Sequence, residues 1–99
     1  MGKKSKIKQK ILKSNKINSD GIEYVYTLLE NESDNVASYR LSLYSIRVEM
    51  TDIDGKHSYA EVNDVFCDVG KAILFYEMLI KNLATPIDLP YILEDKISI

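Results

Sequence analysis

The sequence predicts an α+β fold: an antiparallel three- or four-stranded meander packed against one long helix, followed by a short C-terminal helix. Three observations carry this prediction. Apolar and polar residues alternate with a period of two in the segments around residues 23–28 and 39–51. Turn-forming Asp-Gly pairs punctuate that region at Asp20-Gly21 and Asp54-Gly55. From Asp68 onward the apolar period changes to that of a helix. Strands first and helices after them is the α+β pattern.

The first element is open to two readings. Ile7 and Ile11 are four apart, which suits a short amphipathic helix, whereas the Ser19-Asp20-Gly21 turn suits a strand over residues 10–17 returning into the next one. The strand is the favoured reading. Residues 22–30, IEYVYTLLE, are rich in β-branched and aromatic residues, with Tyr24, Tyr26 and Leu28 on one face. NESDN, residues 31–35, reads as a loop. Residues 44–51 alternate cleanly: Tyr44, Ile46, Val48 and Met50 face the core, and Ser45, Arg47, Glu49 and Thr51 face water. Tyr39, Leu41 and Leu43 alternate in the opposite phase, so a bulge or break is expected near Leu43. The Asp54-Gly55 turn leads into a return strand over residues 57–62.

Val69, Ala72, Ile73, Tyr76, Leu79, Ile80 and Leu83 form a stripe of helical spacing, and Asp68 is placed to cap it. Leu74, Phe75 and Met78 lie off the stripe, so a second apolar face needs cover. The following segment is the local candidate to supply it. Pro86 ends the helix, and DLPYILEDKI begins another, with Pro90 tolerated in its first turn.

Ninety-nine residues make one domain, divided here into a basic, flexible tail at residues 1–9 and a body at residues 10–99. Charge is distributed unevenly. Residues 1–16 hold seven lysines (Lys3, Lys4, Lys6, Lys8, Lys10, Lys13 and Lys16) and no acid. Residues 17–99 hold six basic and all fifteen acidic residues, a net charge of −9 in a chain whose total is −2. A cationic segment is thus joined to an anionic body.

With the strands and helices laid out, the chain resembles a family of small uncharacterised proteins of low-GC Gram-positive bacteria and their mobile elements. The residues that carry the resemblance are Tyr24, Tyr26 and Leu28, then Tyr44, Ile46, Val48 and Glu49. The closing Thr85-Pro86 with Leu89 and Ile92 to Asp95 completes it. The resemblance implies no activity and no site residue. By association it implies a regulator or inhibitor of a larger host machine.

Catalytic chemistry is poorly represented. His57 is the single histidine and Cys67 the single cysteine, so neither a zinc set nor a disulfide can be built within the chain. A Cys-His pair is the one nucleophilic arrangement the composition allows; a strand histidine and a small apolar thiol are the plainer reading. Asp52 and Asp54 lack the ligand spacing of a calcium loop, and no glycine-rich phosphate loop exists. The expectation is therefore a non-enzyme that needs no cofactor. No apolar run is long enough to span a membrane, and the lone cysteine suits a reducing, cytoplasmic setting.

Two functional readings follow from the charge split. In the first, the acidic body docks on a basic surface of a protein partner, such as a nucleic-acid-handling enzyme, steered by its field. Glu49, Asp52, Asp54, Glu61, Asp64 and Asp68 are the candidate charged contacts, and Phe75 and Met78 the apolar anchors. A homodimer is another way to cover the second helix face. In the second reading the seven lysines bind nucleic acid weakly and without sequence preference. That segment has no arginine or aromatic residue with which to read bases.

Overall fold

A computed structural model describes residues 7–36 and 39–97. Four strands come first: β1 (Ile7–Ser19), β2 (Ile22–Val36), β3 (Tyr39–Thr51) and β4 (His57–Phe66). Helices α1 (Val69–Lys81) and α2 (Asp88–Ile97) follow. The strands form one antiparallel sheet in the order β1-β2-β3-β4, a meander. The α+β expectation holds.

Three boundaries differ from the sequence reading. The first segment is a strand, and it begins at Ile7, so residues 7–9 belong to the sheet and not to the tail. Residues 31–35 are not a loop: β2 continues through them to Val36, with Asn31 to Ser33 paired to β1 on one side and β3 on the other and a register shift before Val36. Ladder bonds on both sides override the turn preference of Asn, Ser and Asp. The return strand β4 extends past residue 62 to Phe66.

The β1–β2 hairpin turns on two residues, with Ser19 paired to Ile22. Asp20 and Gly21 both have positive φ, at 52° and 79°, which matches the twist of the flanking strands.

The expected irregularity near Leu43 lies in the neighbouring strand. β3 pairs with β2 without interruption from Glu23↔Thr51 to Ser33↔Leu41. The register slips on the other side of β3, between Tyr44↔Phe66 and Ile46↔Val62. Asp64, with φ of 53°, sits in the bulge this makes in β4. The reversed phase of Leu43 therefore reflects a residue half-buried on the opposite face of an unbroken strand.

One face of the sheet is covered by the helices. Tyr24, Tyr26 and Leu28 of β2 meet Tyr44, Ile46 and Val48 of β3, and Ala72, Phe75, Tyr76 and Leu79 of α1 close over them. Two tyrosines anchor this core through their hydroxyls. The Tyr26 hydroxyl donates to the carbonyl of Ala84 at 2.8 Å, tying β2 to the segment after α1. The Tyr76 hydroxyl lies 2.9 Å from the carbonyl oxygen of Tyr26 and 2.7 Å from the Asn15 side-chain amide, tying α1 to β2 and β1. A phenol has one proton to donate, so the set is complete when Tyr76 donates to the carbonyl and Asn15 turns its nitrogen to the phenol oxygen. Burial pushes both phenols up to about 12.

Helix α1 begins as expected. Asp68 is extended, and its carboxylate accepts from the Gly70 N–H at 3.0 Å. The helix ends at Asn82, followed by Leu83 in a left-handed conformation, φ 51°. Helix α2 is preceded by a reciprocal cap. The Asp88 N–H donates to the Thr85 hydroxyl oxygen, and the Thr85 N–H donates to the Asp88 carboxylate. Thr85-Pro86-x-Asp88 is a capping box written in the sequence, and the Pro86 reading alone overlooks it. α2 packs against β4.

Candidate functional site

Among the described residues, no helix lies over the second face of the sheet. Register places Gln9, Ile11, Ser14 and Lys16 of β1 there, with Val25, Thr27, Leu29 and Asn31 of β2. Ser45, Arg47, Glu49 and Thr51 of β3 continue the surface, and His57, Tyr59 and Glu61 of β4 complete it. Polar groups on this face bond to one another from strand to strand. The Gln9 amide donates to Asn31 at 2.9 Å, and the Asn31 amide donates to the Ser45 hydroxyl and the Asp64 carboxylate, each at 2.8 Å. The Asp64 N–H also donates to the Ser45 hydroxyl oxygen. A row of contacts thus crosses all four strands at the bulge. Ser45, expected to be wet, is fully buried beneath it.

Toward the other end of this face Arg47 donates from Nε to Glu61 at 2.8 Å, and that bond holds the guanidinium pKa above its ordinary value. His57 lies 3.7 Å from Glu49, and Lys16 3.5 Å from Glu23. Glu49 and Glu61 therefore each sit beside a basic group of the same chain.

The acidic turn is built by Asp52. Its carboxylate accepts from the N–H groups of Asp54 and Lys56, and its carbonyl accepts from Gly55, which has a φ of 85°. This leaves Ile53 at the apex, 74% exposed. The β1–β2 turn lies alongside: a Cβ added to Gly21 would stand 3.2 Å from the Ile53 terminal methyl. Asp20 belongs to that neighbouring turn. One end of the molecule thus presents an exposed isoleucine with Asp52 and Asp54 beside it in the chain and Asp20 in the adjacent hairpin. Sequence reasoning nominated Asp52 and Asp54 and missed Asp20 and Ile53. The signal was present as an isoleucine between two turn aspartates, where no core position is available.

The other nominated contacts do not join this end. Asp64 is in the bulge at the far end of β4, and Asp68 caps α1. Phe75 is 5% exposed, its ring 5.4 Å from that of Phe66, and Met78 packs against the same core. Phe75 is thus not available as a surface anchor, whereas Met78 is only half-buried; the side chain that α1 turns outward is Leu74. The second apolar face of α1 is thus closed in part by Phe66 of β4, and the local candidate, α2, lies against β4.

Chemical alternatives separate in space. His57 opens β4, and Cys67 follows its last residue. At ~3.3 Å per strand residue the two are about 30 Å apart, so they cannot act as a pair. Among the described residues no group of three His, Cys, Asp or Glu is placed to hold a metal ion, and no helix is long and apolar enough to cross a membrane.

Of the seven lysines, Lys3, Lys4 and Lys6 lie outside the described residues, as does the side chain of Lys8. Lys10, Lys13 and Lys16 lie along β1, with Lys10 4.0 Å from Glu30 and Lys16 3.5 Å from Glu23. This part of the cationic block lies along acidic β2.

No curated protein and no solved structure gives a significant match to the chain. A family model does match it, over residues 7–98, which spans the whole sheet and both helices; the chain belongs to the family of unknown function DUF6514.

Proposed function

We propose that the protein is a non-enzymatic binding module, a cytoplasmic regulator or inhibitor that docks its acidic hairpin end on a basic surface of a larger protein. The observation that carries this reading is Ile53, 74% exposed, between Asp52 and Asp54 and beside the Asp20 turn. An exposed apolar side chain flanked in the chain by two aspartates suits a hydrophobic pocket with a basic rim. The net charge of −9 over residues 17–99 would steer the encounter. Enzymes that handle nucleic acid carry such basic surfaces. The resemblance to small proteins of mobile elements favours that partner class by association.

The test is a pull-down from nuclease-treated lysate with the wild type and with Ile53→Asp/Asp54→Lys. Asp52 is left intact because its carboxylate holds the turn. The expected result is one stoichiometric protein that survives nuclease and is lost with the double variant. Undiminished capture by the variant would remove this end from the proposal. Partners that disappear with nuclease would instead move the function to the lysine-rich segment.

A further inference from the structure

The two edges of the sheet are built differently. β1 carries Lys10, Lys13 and Lys16, and its register shifts between Ile11 and Lys13. Lysines and a bulge are the usual means of keeping an edge from pairing. β4 has no lysine and no proline, and from His57 to Val62 it pairs with β3 without a shift. Its bulge comes only after that, at Asp64.

The direction of the free main-chain groups follows from the turn. The Asp52 N–H donates to the Lys56 carbonyl, so residues 52 and 56 occupy a hydrogen-bonded position. Such positions alternate along an antiparallel pair. Ser58 and Ala60, opposite Met50 and Val48, therefore bond to β3. His57, Tyr59 and Glu61 direct their N–H and C=O groups away from it. His57, Ser58 and Tyr59 are all exposed.

The geometry points to a homodimer in which β4 pairs antiparallel with β4 of a second copy, about a two-fold axis through Tyr59. This inference stands apart from the acidic docking end and does not rest on it. In this register His57 faces Glu61 of the second copy, Tyr59 faces Tyr59, and Glu61 faces His57. Each of these residues offers one outward donor and one outward acceptor, so the main-chain bonds close in both directions. Shifting the strands by one residue sets outward groups against inward ones and forfeits the ladder.

The side chains suit the same register. On the open face, Arg47 and Glu61 of one copy continue into His57 and Glu49 of the other, a row that alternates basic and acidic groups. The Tyr59 rings, 64% exposed in the single chain, meet at the axis. On the helix side Ser58 faces Ala60 of the second copy, and both are small enough to leave the close pairs unobstructed.

Sedimentation equilibrium of the full chain over a concentration series tests the proposal, with Tyr59→Pro and His57→Glu as variants. The wild type is expected to dimerise reversibly. Proline removes the central outward N–H without touching the β3 ladder, so the dimer should weaken at least about tenfold while circular dichroism is unchanged. His57→Glu sets like charges opposite each other and should weaken it by about fivefold. A wild type that stays monomeric at millimolar concentration overturns the proposal, as does a dimer that survives Tyr59→Pro. Should the proline variant fail to fold, amide exchange of wild-type Tyr59 decides instead. Exchange slows with concentration if β4 pairs, and unchanged exchange in a dimer places the contact elsewhere.

Discussion

The two faces of the sheet are made by the same strands and differ in what holds them. On the covered face Tyr26, Leu28, Ile46 and Val48 are removed from water by α1, and the polar atoms are few and paired with main chain. On the open face the contacts are hydrogen bonds and ion pairs between neighbouring strands, among them Gln9–Asn31–Ser45, Arg47–Glu61 and His57–Glu49. Burial is non-directional and stabilises the compact state; the open-face contacts are directional and specify register. Stability should therefore be concentrated on one face and pairing accuracy on the other.

The largest effect should come from the covered face. Ile46 is fully buried at the centre of β3, and Ile46→Ala should cost about 3–4 kcal/mol by loss of transfer energy and by the cavity left behind. Chemical denaturation with an unchanged m-value would show it. A loss below about 1 kcal/mol would mean that the core collapses around the gap and that the covered face is less rigid than its burial implies.

Tyr76→Phe keeps the ring in the core and removes only the phenol. It should cost about 1–2 kcal/mol, because the Tyr26 carbonyl and Asn15 lose their partner. The same tyrosines set a pH limit. Tyr26 and Tyr76 ionise near 12 in the fold and near 10 when unfolded. The unfolded state thus binds fewer protons between those values, and stability must fall as pH rises from about 10 to 12. Below pH 10 this contribution is fully present. Tyrosinate absorbance should rise together with loss of circular dichroism across that window, and Tyr76→Phe should reduce the size of the drop.

The smallest stability effect should come from the part-exposed ion pairs of the open face. Arg47→Ala removes a part-exposed pair with Glu61 and should cost no more than about 1 kcal/mol. Ser45→Ala sharpens the comparison, since Ser45 is buried on that same face and accepts from both Asp64 and Asn31. A loss of about 1–2 kcal/mol, with altered amide exchange in β4, is expected. If Ser45→Ala proves harmless, the row across the bulge does not specify register.

Much of the fold is written locally. Asp20-Gly21 determines a two-residue turn because both positions need positive φ, and Asp68 determines the start of α1 because its carboxylate can meet the Gly70 N–H. The alternation of Tyr44, Ile46, Val48 and Met50 identifies the covered face, since strand side chains alternate by geometry. The charge split between residues 1–16 and 17–99 is likewise a property of the sequence alone.

Other features depend on which strands become neighbours. Residues 31–35 have turn-forming composition, and ladders from β1 and β3 on Asn31 to Ser33 carry the strand into them. Ser45 is buried because a bulge nineteen residues away brings Asp64 over it, a distance no local period reports. Phe75 lies off the main stripe of α1, and the position of β4 beneath the helix decides that it is core. Gly21 and Ile53 belong to different turns and come close only because β1–β2 and β3–β4 turn at the same end of the meander. Short-range periodicity determines how each segment folds and which side it buries. Which segments share a face or an edge is decided by long-range pairing, where burial and ladder hydrogen bonds outweigh local preference.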